Sequence, residues 1–179
     1  MRIHQVDGDP DYIGIGYQSV DEVIPLQDID HKHRTLDPAH VINVRYTFHE
    51  PEDEGIITDC PNVRLGSTLV LSQRACETLE PILKPAGALL RLNPPHEMGY
   101  QMFVCYRHID ALDTVRATHE EGIEGHITRF AFRAAVLEDV DIFRLSNRVG
   151  RLFVSHRFVS EVFKHRLSGL SPTDAEPAR

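Results

Sequence analysis

Apolar and polar side chains alternate cleanly in several parts of the chain. From Val41 to Phe48, Ile42, Val44, Tyr46 and Phe48 fall on one side, with Asn43, Arg45 and Thr47 on the other. That two-residue period belongs to a half-buried strand. Tyr100, Met102, Val104 and Tyr106 share a face in the same way. His126 to Arg133 repeats the pattern, with Thr128, Phe130 and Phe132 opposite Ile127, Arg129, Ala131 and Arg133. Ala88–Leu92 and Val140–Leu145 are shorter apolar runs that also read as strands. Asp7 to Pro38 is rich in acids and turn formers, and reads as loops with one or two short strands.

Helical spacing follows two short apolar runs, and these form a faint internal repeat. Leu69-Val70-Leu71-Ser72-Gln73-Arg74 is matched by Leu152-Phe153-Val154-Ser155-His156-Arg157. After Ser72, residues Ala75, Cys76, Leu79, Ile82 and Leu83 fall on one helical face. Phe158, Val159, Val162, Phe163 and Leu167 do so after Ser155. Each serine stands where it can accept a hydrogen bond from the first free backbone N–H groups of its helix. Pro81 is expected to end or kink the first helix, and Gly169 to mark the end of the second. Strands with a helix near each end predict an α+β fold, mainly an antiparallel sheet with a few helices packed on one face.

Charge divides the chain. Residues 1–66 carry 13 Asp and Glu against 5 Lys and Arg, whereas the remainder is balanced at 14 against 14. The net charge of −8 therefore lies wholly in the first third. We divide the chain into an acidic N-terminal portion (1–66), separate from or part of the same domain as a main α+β region (67–171), and a disordered tail (172–179). A nucleic-acid partner would call for a basic face, and an acidic surface suits a cationic partner. The densest acidic run is Glu50, Glu52, Asp53 and Glu54. With Asp28 and Asp30 these are the candidate partner-binding residues. The first ten residues lack the apolar core of a secretory signal and no stretch is long enough to span a bilayer, so a cytoplasmic protein is expected.

Candidate chemistry is sparse. There is no P-loop, Gly14-Ile15-Gly16 lacks the third glycine of a dinucleotide fingerprint, and no His-Glu-x-x-His occurs. Neither serine lies in a Gly-x-Ser-x-Gly elbow. Cys60, Cys76 and Cys105 are odd in number and far apart, which fits buried reduced thiols. Arg129, Arg133, Arg144, Arg148 and Arg151 cluster in sequence, but Glu138, Asp139 and Asp141 interrupt them, which favours internal ion pairs. The best metal candidate is His31 and His33 beside Asp28 and Asp30, with His40 further on. In a strand the two histidines would point to one side, yet the segment supplies no full ligand set, so neither a metal nor another cofactor is expected.

An ordered series of short pieces resembles a family of bacterial immunity proteins from polymorphic toxin systems, long catalogued as a domain of unknown function. Leu69-Val70-Leu71-Ser72 is similar to that family's strand-to-helix entry. Tyr100-Gln101-Met102-Phe103-Val104, running on to Ile109-Asp110-Ala111-Leu112-Asp113, resembles its central strand and acidic turn. Asp141-Ile142-Phe143-Arg144-Leu145 resembles a further element. Phe153-Val154-Ser155 with Arg157-Phe158, closing on Leu167-Ser168-Gly169-Leu170, is the most specific piece. The resemblance spans 67 to 171 and departs from the pattern twice: His156 stands where a Glu is expected, and Ser171-Pro172 where an aromatic is. It implies a protein that binds and neutralises a cognate toxin, and it supplies no catalytic residue. Two rival readings remain from the residues themselves. One is a metal- or ligand-binding enzyme using the segment near His31 and His33, and the other is an adaptor subunit of a larger assembly.

Overall fold

The computed structural model describes residues 2–8, 14–32, 35–47, 57–63, 68–119, 127–146 and 151–175. The chain opens with β1 (Ile3–Gly8), β2 (Gly14–Tyr17), α1 (Val23–Lys32) and β3 (Val41–Thr47). It continues through β4 (Asn62–Val63), β5 (Leu69–Leu71), α2 (Gln73–Leu83), β6 (Gly87–Asn93) and β7 (Gln101–Cys105). Short strands β8 (His108–Ile109), β9 (Thr118–His119) and β10 (Ile127–Arg129) come next. The last elements are β11 (Ile142–Leu145), β12 (Phe153–Ser155), α3 (His156–Lys164) and β13 (Leu170–Asp174).

Two sheets carry the fold. One has six strands in the order β4-β2-β3-β6-β7-β5, and the other has five in the order β13-β1-β12-β11-β8. β9 and β10 form a separate ribbon. Most pairs are antiparallel, while β2–β4, β3–β6 and β8–β11 are parallel. The fold is α+β and mostly sheet.

The two-residue period of the strands distributes their side chains among three cores. In β7, Met102 and Val104 meet Ile15, Ile42, Val44 and Leu90 together with Leu26 and Ile29 of α1. Phe103 and Cys105, pointing the other way, meet the apolar faces of α2 and α3. In the five-stranded sheet Ile142 and Val154 join that same helical core. Phe143 and Phe153 turn instead to a third core with Leu112, Phe130, Phe132 and Leu137. Thus α2 and α3 lie between the sheets, and α1 covers the opposite face of the larger one. Phe153 sits at the centre of the third core, edge-on to Phe130 at 5.0 Å and to Phe132 at 5.3 Å. Such aromatic pairs contribute about 0.5–1.5 kcal/mol beyond their buried area.

Several expectations change. The segment Asp7 to Pro38 contains a ten-residue helix, α1, in addition to strands. Pro25 lies in its first turn, where no backbone N–H is needed, so the proline does not break it. Pro172, Thr173 and Asp174, placed by sequence in a tail, extend β13 against β1. For the acidic third, β1 pairs with β12 and β13 and β3 pairs with β6, which is the shared-domain placement the sequence left open. In 127–133 the alternation breaks after a register shift in the ribbon, and Phe130, Ala131 and Phe132 are all buried. Phe163 is 67 % exposed, because it lies about a quarter-turn off the stripe formed by Phe158, Val159 and Val162. α2 passes through Pro81 and stops at Leu83.

Candidate functional site

The internal repeat folds into two similar polar clusters, one at the start of each central helix. Ser72 caps α2, its Oγ accepting from the Ala75 N–H at 3.1 Å. Ser155 caps α3, its Oγ accepting from the Phe158 N–H at 3.3 Å. Each serine hydroxyl also donates to an aspartate: Ser72 to Asp59 at 2.8 Å and Ser155 to Asp141 at 2.7 Å. Each backbone N–H of the same serines donates to the carbonyl of the same aspartate. The arginine two residues further on closes the cluster, Arg74 reaching Asp59 at 2.6 Å and Arg157 reaching Asp141 at 2.8 Å. Neither hydroxyl is therefore paired with a histidine base, as a nucleophile would require. Replacing Ser155 by alanine is expected to cost about 0.5–2 kcal/mol in urea denaturation.

The two clusters differ in what covers them. Over the first lies the turn that follows α3. Asp59 Oδ2 accepts from the Ser168 N–H at 3.1 Å and from its hydroxyl at 3.3 Å. Arg74 also donates to the carbonyls of His165 and Arg166, at 3.4 and 3.2 Å. The turn itself is built by Arg166 in the left-handed region (φ 52°) and by the Leu167 N–H, which reaches back to the Val162 carbonyl. α3 thus ends at Lys164, five residues before Gly169. Burial alone would raise the Asp59 carboxyl, but hydrogen bonds from Arg74, Ser72 and Ser168 and the charge of Arg74 outweigh it. They hold the group below the ordinary carboxylate value. Over the second cluster there is an open groove of about 510 Å³, lined by Arg2, Val140, Asp141, Ser155, His156 and Arg157 among others.

The residues singled out by sequence do not gather into one site. Glu50, Glu52, Asp53, Glu54 and His33 lie outside the described residues. Asp28 is half-buried on α1, and the backbone of Asp30 and His31 belongs to the same helix. The strand on which a His31–His33 pair would have depended is therefore a helix as far as Lys32. His40 follows a turn after α1 and is half-buried. Among the described residues no group of three or more His, Cys, Asp or Glu is arranged to hold a metal.

Of the arginine cluster, Arg148 lies outside the described residues and Arg144 is buried. Arg144 is 2 % exposed, and burial pushes its guanidinium down to about 10. Arg133 pairs with Asp110, and Arg151 donates to Gln5 and lies 5.2 Å from the centre of the Phe130 ring. All three cysteines are buried and free. Burial raises their thiols, Cys76 to about 11 and Cys105 to about 12, so neither is a thiolate nucleophile at neutral pH. No helix among the described residues is long and apolar enough to cross a membrane.

Sequence reasoning missed Asp59 and Asp141. A signal was present, because an aspartate precedes each Ser-x-Arg by a similar interval, 13 residues in one copy and 14 in the other. No match was found among curated proteins. The model of an immunity protein family (Imm11) matches residues 26–177, which takes in both clusters, the groove lining other than Arg2 and most of the two sheets. The match begins in α1, well upstream of the segment whose motifs resemble immunity proteins. On that coverage, the chain belongs to the Imm11 immunity protein family.

Proposed function

We propose that this chain protects a bacterial cell by binding a cognate toxin protein stoichiometrically in the cytoplasm and blocking its action. Family membership across residues 26–177 carries this reading. The chemistry of the described residues agrees with a binding role: Ser72 and Ser155 are buried helix caps tied to aspartates, and the thiols are held protonated. On this reading catalysis is not needed, because a tight complex that covers the toxin's working surface is sufficient. The acidic charge of residues 1–66, densest at Glu50, Glu52, Asp53 and Glu54 and joined by Asp28 and Asp30, suits a cationic toxin surface such as a groove for nucleic acid. Such a patch acts mainly on the association rate and is screened by salt.

The test is to express the toxin domain encoded beside this gene in cells with and without the chain. Rescue of growth and a 1:1 complex are expected. Continued killing with the chain abundant and folded would overturn the proposal. Reversing Glu50, Glu52, Asp53 and Glu54 to lysine should slow association steeply at low salt, leaving a rate that salt no longer changes. An unchanged rate would mean that the acidic run does not face the toxin.

A further inference from the structure

At the start of α2, the cluster of Asp59, Ser72 and Arg74 receives a specific object: the carbonyl end of a helix and the serine that follows it. Arg74 holds the His165 and Arg166 carbonyls while Asp59 accepts two hydrogen bonds from Ser168. At the start of α3 the same three residue types, Asp141, Ser155 and Arg157, hold each other in the same way. Among the described residues no turn occupies the corresponding place, and the space is the open groove, bordered by Arg2, whose carbonyl accepts from the His156 N–H. Coverage separates the two copies: the Asp59 side chain is 6 % exposed and that of Asp141 17 %, while both arginines stay largely exposed.

We infer that this groove receives the C-terminal turn of a helix from the toxin, followed by a serine or threonine. The proposal rests on the reading that the chain binds a toxin. The mixed lining, two arginines beside two aspartates, supports the choice of occupant, because such a turn presents carbonyl acceptors and N–H and hydroxyl donors together. A helix C-terminus carries roughly half a negative charge on its free carbonyls, and Arg157 and Arg2 line the groove that would meet it. Asp141 has acceptor capacity beyond its bonds from Ser155 and Arg157, since an ionised carboxylate offers about four lone-pair sites. A backbone N–H and a hydroxyl would use that capacity, as Ser168 does at Asp59. A phosphate or other free anion suits the groove poorly, because the Asp139 and Asp141 carboxylates line it too. A second copy of this chain is also a poor occupant. Its turn of matching chemistry, 165–168, is already committed to its own Asp59 cluster.

The experiment measures affinity for the toxin domain encoded beside the gene. The chain is tested as wild type, as Arg157→Glu, as His156→Trp and as Lys84→Glu. The first two changes lie at exposed positions in the groove, and the last lies at an exposed position just after α2 that does not line it. The two groove variants are expected to weaken binding by about tenfold or more, from the loss of charge-assisted hydrogen bonds or from filling the groove. Lys84→Glu should leave affinity unchanged, and all melting temperatures should stay close to that of the wild type. Hydrogen exchange on the toxin should show protection at a helix C-terminal turn bearing a serine or threonine. Wild-type affinity in both groove variants, or protection confined to a strand of the toxin, would overturn the groove while leaving the immunity reading intact. Failure of the wild type itself to bind would overturn the immunity reading, and the groove with it.

Discussion

Replacing Asp59 by alanine is expected to remove about 2–4 kcal/mol of stability at pH 7. The figure follows from the loss of charge-assisted hydrogen bonds at a carboxylate almost closed to water. Asp59 is a hub. It holds Ser72 and Arg74 at the start of α2 and Ser168 after the end of α3, and so joins two helices with 72 residues of sequence between them. Without it the Ser168 N–H and the Ser72 hydroxyl lose their acceptor in a buried site. The effect should depend on pH. Because the folded state holds the Asp59 carboxyl below its ordinary value of 3.8, its contribution is complete above that value. It is then lost as pH falls through the lower, folded-state value. Urea denaturation of the wild type and of Asp59→Ala at pH 7 and near pH 3 would measure this. The gap between them should be widest at pH 7 and should narrow in acid. A gap of the same size at both pH values would mean that packing, not the charge, makes Asp59 important.

The parts of this architecture that were legible in the sequence share one property: neighbours in the chain determine them. Ile42 and Val44 announce β3, Met102 and Val104 announce β7, and Ser72 and Ser155 announce their helices through groups only three residues away. What stayed hidden is determined at long range. Nothing local in Pro172-Thr173-Asp174 favours a strand; these residues become one because β1 lies beside them and offers a ladder. α1 hides for a different reason. Its buried stripe is narrow, with Leu26 and Ile29 fully covered and Val23 partly so, and acids and a proline surround it. The candidate site was half visible. The repeated Ser-x-Arg could be read, but its meaning depends on Asp59 and Asp141, which reach it only through folding.

Gly169 should tolerate no side chain. The sequence suggests a helix terminator at this position, but α3 has already ended and the glycine answers a different need. Its φ is +84°, in the region where an L residue pays about 1–2 kcal/mol. A Cβ added there would come within 2.3 Å of the Thr58 Oγ1 and 2.5 Å of the Cys60 carbonyl oxygen. Cys60 is held in place, since its N–H donates to the Ser168 carbonyl and its side chain is buried in the helical core. The strand β13 begins at the next residue, so a shift at 169 would pull on its pairing with β1 as well. Adding the backbone cost to an overpacking cost of about 1–3 kcal/mol, we expect Gly169→Ala to lose about 2–4 kcal/mol. That is a large share of the stability of an ordinary domain. Thr58→Ala in the same chain should recover only part of the loss, because the Cys60 carbonyl belongs to the backbone and remains. Thermal and urea melts of the single and double variants would decide the matter. A Gly169→Ala protein as stable as the wild type would show that the turn after α3 can move away from Thr58 and Cys60. The packing of that turn over the Asp59 cluster would then be far looser than its hydrogen bonds imply.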